Sequence, residues 1–447
     1  MRARDIGLFA ASGSAGPLNA IVDVPGVAVG HVTLIDREGP LVVGEGPVRT
    51  GVTVVVPRPE PVALNPVFAG IGRLNGNGEM TGSHWIEESG LLTSPIALTN
   101  THSVGVVRDA LVQVERSQRS GSDWWSLPVV AETWDGLLND INGSHVSEGD
   151  VCAALDAASS GPVPEGNVGS GTGMICHGFK GGIGTSSRVV GGSAGNEGGD
   201  AAGNAAGNPG GEAADDATGE AARGTAGNAA GYTVGVLVQA NHGSRRRLVI
   251  DGFPVGRHLD ESVVPLPGGD LPEGMGSIIS VVATDAPLLP HQCRSLAART
   301  ALGIGRVGGV GEHWSGDLSI AFATGHSDLG RGRLGAGEQE GSPGRSGSAA
   351  WEGSSEEVVS PGGRGLESGR DSPGSDRDPH EPAAAWPLLV DAGTLVALYE
   401  ATVDATEEAI VNALFAAETM TGRDGITAHE LPIELVLELM STGGPPS

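Results

Sequence analysis

Two abrupt changes of composition limit what this chain can fold into. From about Gly191 to Gly231 the sequence is almost all Gly, Ala, Asn, Asp and Glu, and from about Gly330 to Pro387 it is Gly, Ser, Pro, Glu, Asp and Arg. Neither stretch carries enough apolar surface to offset the entropy of ordering a backbone, so both read as flexible insertions and not as domains. What remains, roughly 350 residues, must build the core. With 75 Gly in 447 residues and only 3% aromatic residues, that core is expected to pack small side chains.

Outside the insertions, strand patterns alternate with helical ones. Asn19 to Leu34 and Val48 to Val56 are rich in Val and Ile, are bounded by Pro and Gly, and predict strands. Ser103 to Val114 repeats apolar positions at helical spacing after a capping-type residue. Tyr232 to Asn241 predicts a strand covered on both faces, Ser277 to Thr284 and Leu318 to Thr324 predict two more, and Pro290 to Ile304 predicts a helix. Leu395 to Met420 puts Leu398, Val403, Ile410, Leu414 and Ala417 on one helical stripe, with Glu407 and Glu408 opposite. Layered α and β structure is expected.

Charge and cysteine usage exclude several functions. A net charge of -28, from 54 acids and 26 bases, argues against a partner bound through phosphates, whether nucleic acid or an anionic membrane. The densest basic run, Arg245 to Arg247, reads as a solvated strand end. Cys152, Cys176 and Cys293 have no CxxC spacing, which suits a reducing, cytoplasmic setting without a disulfide framework or zinc knuckle. No apolar run approaches the length of a membrane span. His84, His102, His177, His242 and His313 are scattered, with no ligand pair at helical spacing, so no metal and no cofactor is expected. Gly303-x-Gly305-x-x-Gly308 follows a helical pattern where a dinucleotide fingerprint needs a strand, and the GxSxG match at Gly191 to Gly195 lies inside an insertion.

One junction carries chemistry. At Pro-Glu-Gly-Met-Gly276-Ser277-Ile-Ile-Ser a glycine-punctuated segment runs straight into a buried-type strand whose first residue bears a hydroxyl. A serine held there could attack its own preceding carbonyl and lose the acyl group to water, leaving a new amino-terminal serine. Gly276 suits a crowded scissile position. The freed α-amine, with an ordinary pKa of about 7.7 to 8.0, would suit a general base at neutral pH. On residue pattern alone, a Gly-Ser entering a strand is usually just a turn, and that reading is the stronger one.

The run Asn75-Gly-Asn-Gly-Glu79-Met-Thr-Gly, followed by SHWIEESG and PIALTNTHSVGVVRDA, resembles the L-aminopeptidase/D-esterase-amidases and β-peptidyl aminopeptidases. ETWDGLLNDING, EGNVGSGTGM, GFKGGIGTSSR, VGVLVQANHG, DGFPVG, GSIISVVATDAPLLPHQ and HWSGD continue the resemblance, in the family's order, over nearly the whole chain outside the insertions. The resemblance implies an α+β fold, a four-layer αββα sandwich similar to N-terminal-nucleophile hydrolases but differently connected. It implies one catalytic domain, 1–447, that cuts itself into 1–276 and 277–447; the two pieces stay together and assemble into a homo-oligomer, a tetramer of heterodimers. Ser277 aligns with the family nucleophile, Asn241 with the amide that helps stabilise the oxyanion, and Ser315 and Asp317 with a serine and an acid that support the nucleophile. Positions 315 and 317 share a face if the segment is extended, although a polar turn would look the same. Whether the α-amine or the Ser315 hydroxyl shuttles the proton stays open.

Glu132 is the candidate for holding the substrate's ammonium, with a surface ion pair or a structural carboxylate as the other readings. Trp134 stands where the family usually has tyrosine; it keeps an aromatic wall and an N–H donor but no phenol hydroxyl. Glu79, Trp85 and Glu87 fit a pocket wall or plain packing. The expected reaction is hydrolysis of the amide or ester bond after a small amino-terminal residue of a peptide or amino-acid amide, through an acyl-Ser277 intermediate. Two other readings remain: an acyltransferase like the related ornithine acetyltransferases, against which Ser277 in place of threonine argues, and a non-catalytic oligomeric binding protein.

Overall fold

The computed structural model describes residues 1–119, 123–191, 231–268, 276–326, 329 and 390–442. The expected flexible insertions lie almost wholly outside the described residues, as does most of the Gly191 to Gly195 serine motif. In chain order the strands are β1 (Ala28–Asp36), β2 (Val48–Val56), β3 (Val67–Arg73), β4 (Leu91–Leu92), β5 (Ile96–Asn100), β6 (Val129–Thr133), β7 (Ile175–Cys176), β8 (Phe179–Lys180), β9 (Gly182–Val190), β10 (Tyr232–Asn241), β11 (Ser277–Thr284) and β12 (Leu318–Ala323). The helices used below are α1 (Ser83–Ser89), α2 (Val104–Gln118), α3 (Glu148–Asp156), α4 (Pro290–Arg306) and α5 (Ala392–Ala416).

Two open sheets form, one in the order β1-β2-β5-β6 and the other β4-β3-β12-β11-β10-β9. Side-chain alternation along each strand turns these sheets into layers. On β11, Ile279, Val281 and Ala283 join Ile96, Leu98, Val129 and Ala131 in the core between the sheets, while Ile278 and Val282 join Leu296 and Ala297 of α4 and Leu414 of α5 on the other face. Val52 and Val54 of β2 instead face Val107 and Leu111 of α2 and Val151 of α3. The order of layers is therefore helix, sheet, sheet, helix, as the resemblance implied.

Glycine sets how close the layers come. A Cβ added to Gly184 on β9 would lie 2.0 Å from the Ala409 carbonyl of α5, and one on Gly70 of β3 would lie 2.2 Å from the Arg294 nitrogen of α4. Small residues at these crossings let the helices sit directly on the sheet.

Three expectations need correction. Asn19 to Leu34 is not strand throughout: the Asp23 carboxylate accepts the N–H groups of Leu18 at 2.9 Å and Ala20 at 3.0 Å, folding Ile21–Asp23 into a 3-10 turn before β1 starts. Glu407 and Glu408 do not face solvent. Helix α5 is covered on nearly all sides of this stretch, and Glu408 is fully buried because Arg4, at 2.9 Å, and Arg188, at 2.7 Å, neutralise it. Arg245 to Arg247 is a 3-10 turn, not a solvated strand end. Arg245 is buried over the Phe179 ring, 3.7 Å from its centre, and donates to the carbonyls of His177, Leu259 and Val264.

Candidate active site

Strand register brings the candidate residues to one end of both sheets. Ser277 is the first residue of β11, and its antiparallel partner on β10 is Asn241, the last residue of that strand. On the other side β11 runs parallel to β12, where pairing starts only at Ile279 opposite Leu318. Ser315, Gly316 and Asp317 therefore come just before the ladder, and their backbone is free to turn toward the strand start. In the facing sheet β5 and β6 pair in parallel, with Thr99 opposite Glu132 and Asn100 opposite Thr133, so Thr101, Glu132 and Trp134 emerge at the same end.

The Gly316 N–H donates to the Ser277 hydroxyl oxygen at 2.9 Å. Asp317 is the hub behind it. Its Oδ1 accepts the Ile278 N–H at 3.2 Å and the Ser315 hydroxyl, and its Oδ2 accepts the Asn75 side-chain amide at 2.8 Å. Asn75 in turn accepts the Asp317 N–H. Gly78 and Gly316 let the two loops stack: a Cβ on Gly316 would lie 2.5 Å from the Gly78 Cα. Burial raises the Asp317 pKa above the usual aspartate value, and its hydrogen bonds only partly offset that effect.

Asn241 is held from two directions. Its side-chain N–H donates to the Trp134 carbonyl at 2.9 Å, and its Oδ1 accepts the Ile175 N–H at 2.7 Å. Its own backbone presses on Gly276, where an added Cβ would stand 1.9 Å from the Asn241 carbonyl oxygen and 3.3 Å from the side-chain nitrogen. Only glycine fits this position.

A cavity of about 220 Å³ opens on Ser277, lined by Asn77, Thr101, Glu132, Trp134, Gly276 and Trp314. Glu132 is 3% exposed; it accepts the Glu79 N–H at 2.9 Å and the Thr101 hydroxyl, and burial pushes its pKa up. That environment does not match the surface ion pair considered from sequence. Trp134 forms a half-buried wall over Gly136, and Trp314, 63% exposed, forms the outer wall. Of the candidate positions named from sequence, Glu132, Trp134, Gly276 and Ser277 line the cavity, and Asn241, Ser315 and Asp317 lie beside the strand start that carries Ser277.

Thr101, Gly316 and Trp314 were not singled out by sequence reading, and Asn75 was quoted only as part of a motif. Gly316 acts through a backbone N–H, which no residue pattern reveals. Trp314 lies inside HWSGD, and its exposure is what marks it. Glu87 makes a surface contact with Arg73 at 3.8 Å, and Trp85 stacks edge-on with Trp125; neither lines the cavity. Gly303 and Gly305 lie within α4.

The family model for peptidase family S58 matches residues 19–206 and 193–428. The chain is 41% identical over 440 residues to the beta-peptidyl aminopeptidase BapA of Sphingosinicella microcystinivorans, covering 96% of this chain and 89% of the relative. It is 38% identical over 453 residues to BapA of Sphingosinicella xenopeptidilytica, covering 99% and 92%. Among solved structures, a Burkholderia sp. beta-aminopeptidase superposes with a TM-score of 0.73 at 42% identity over 100% of both chains. The L-aminopeptidase D-Ala-esterase/amidase of Ochrobactrum anthropi, described as a prototype for the serine aminopeptidases and a new variant among the Ntn hydrolase fold, superposes with a TM-score of 0.71 at 37% identity over 99% of both.

Proposed function

This chain belongs to peptidase family S58 and is a serine aminopeptidase/amidase, and from that premise we propose that it activates itself by cutting the Gly276–Ser277 bond and then hydrolyses substrates through an acyl-Ser277 intermediate. The observation that carries the reading is the cavity in which the Ser277 hydroxyl, polarised by the Gly316 N–H, shares its walls with the buried Glu132 carboxylate.

In the precursor, Ser277 Oγ attacks the Gly276 carbonyl carbon, the amide nitrogen of Ser277 leaves protonated, and water hydrolyses the resulting ester. The new α-amine then serves as the base, taking the hydroxyl proton as Ser277 attacks a substrate and giving it to the leaving amine. Asn241 supplies an N–H to the oxyanion; its amide has two such hydrogens, and one is committed to the Trp134 carbonyl. Ser315 and Asp317 position the strand start and the nucleophile. Glu132 binds the substrate's ammonium, a cation that offsets the cost of its buried charge.

Cleavage does not release the pieces. The proposed break falls between β10 and β11, which stay paired from Val234 opposite Thr284 to Asn241 opposite Ser277, and β12 stays paired to β3. The products 1–276 and 277–447 form one catalytic unit, which assembles further into a homo-oligomer. Among the described residues no helix is long and apolar enough to cross a membrane. The free cysteines suit a cytoplasmic location.

The substrates are peptides or amides with a small amino-terminal residue, and β-aminoacyl groups are preferred, the chemistry named for the Sphingosinicella and Burkholderia relatives. The test is hydrolysis of matched β-homoalanine and L-alanine anilides, together with a serine-directed sulfonyl fluoride. Faster turnover of the β substrate, and a mass increment on the peptide that begins at Ser277, are expected. Hydrolysis that survives without any label on Ser277 would refute the assignment.

A further inference from the structure

Behind Asn241 lies a group of side chains that the proposed hydrolysis does not use. The β7–β8 hairpin carries Cys176 and His177, and His242 follows Asn241 where the chain leaves β10. The His177 N–H donates to the His242 carbonyl at 2.7 Å and clips the two segments together. Scattered in sequence, these residues are neighbours in the fold: one donor atom from each of the three lies within 4.8 Å of the others, and all three side chains are buried.

The spacing of these atoms suits a metal ion. Cys176 Sγ and His242 Nδ1 are 3.8 Å apart, and tetrahedral bonds of about 2.3 Å to sulfur and about 2.0 Å to nitrogen would set such a pair about 3.6 Å apart. His177 Nδ1 lies 3.1 Å from the Ser244 carbonyl, which can only accept, so Nδ1 carries the proton and Nε2 presents its lone pair. That Nε2 is buried without a hydrogen-bond partner. Leaving such a group unpaired in the interior is costly.

We propose that Cys176, His177 and His242 bind a thiophilic transition-metal ion of the zinc class. The ligand chemistry, not the surrounding charge, selects for such an ion. Lys180 acts on Cys176, and Arg245 and Arg247 act on His177, all against a dication, while Glu312 acts on both in its favour. A hard ion such as Mg²⁺ has no ligand here that it prefers, whereas a thiolate–metal bond overcomes the opposing cations. On binding, the Cys176 S–H bond is replaced by a sulfur–metal bond and the proton leaves to solvent. The ion also ties down both segments that fix Asn241, since Ile175 donates to its side chain and His242 follows it in the chain.

This inference stands whether or not Ser277 is the nucleophile. Metal-free full-length protein is incubated with Co²⁺ until its absorbance is constant, and Zn²⁺ binding is measured calorimetrically in two buffers of unlike ionisation enthalpy. The expected results are a thiolate-to-cobalt charge-transfer band at one ion per chain and release of one proton per Zn²⁺, because a thiol must lose its proton to become a ligand. Cys176→Ala abolishes the band, Cys152→Ala and Cys293→Ala keep it, and His242→Gln weakens binding. Absence of the band in the wild type, its survival in Cys176→Ala, or Zn²⁺ uptake without proton release would each overturn the proposal; the first and third need no variant to fold.

Discussion

Ser277 has unlike neighbours on its two sides. Toward β10 the ladder is complete: Asn241 pairs with Ser277, and its carbonyl fills the space that any side chain at residue 276 would need. Toward β12 the ladder starts two residues later, and the unpaired Ser315–Asp317 segment turns an N–H and a carboxylate to the strand start. The paired side fixes where the proposed scissile backbone lies. The unpaired side supplies polar groups to the nucleophile, because backbone donors not used in a ladder can be aimed elsewhere.

Breaking the paired side should have the larger effects. Gly276→Ala places a methyl 1.9 Å from the Asn241 carbonyl oxygen, so the strand start must shift and the chain should remain mostly uncut, as denaturing electrophoresis would reveal. Asn241→Ala removes the proposed oxyanion donor and should lower kcat about 10²–10³-fold, with a much smaller change in KM, in steady-state assays.

The unpaired side should respond more mildly and with a pH signature. Asp317→Asn gives up a charge-assisted acceptor, and kcat/KM should fall about tenfold. Burial raises the Asp317 pKa above 3.8, so activity that needs the carboxylate declines as pH falls through the raised value. The Asn variant should lose that contribution, leaving an acid limb set by Glu132, whose pKa burial also raises. The sign for stability is opposite. The native state holds this proton more tightly than the unfolded chain, so the associated stability is present below the usual aspartate pKa and is lost as pH rises through the raised one. Trp134→Tyr should change kcat/KM by about twofold to threefold, since the Trp134 contact to Asn241 is made by a backbone carbonyl that both residues possess.

Sequence reading succeeded where local pattern and fold agree. Tyr232–Asn241 and Ser277–Thr284 form strands with the predicted bounds, because each is rich in β-branched apolar residues and is flanked by polar or glycine-containing chain. It failed where a distant partner decides. The periodicity of α5 points Glu408 outward, but Arg4 and Arg188, far away in sequence, bury it. Arg245 is buried by carbonyls that only the folded loops supply. Ser277, Asn241, Ser315, Asp317, Glu132 and Trp134 were legible through family motifs, while the Gly316 N–H and the Cys176–His177–His242 group were not, since neither a backbone donor nor a contact across 66 residues leaves a spacing pattern.

Self-cleavage before Ser277 is the claim on which both sides of the strand depend. Its most direct test is the intact mass, under denaturing conditions, of purified wild-type protein beside Ser277→Ala. Two chains in the wild type, the smaller beginning at Ser277, and one whole chain in the variant are predicted. A single uncut wild-type chain, or cleavage that persists in Ser277→Ala, would contradict the account.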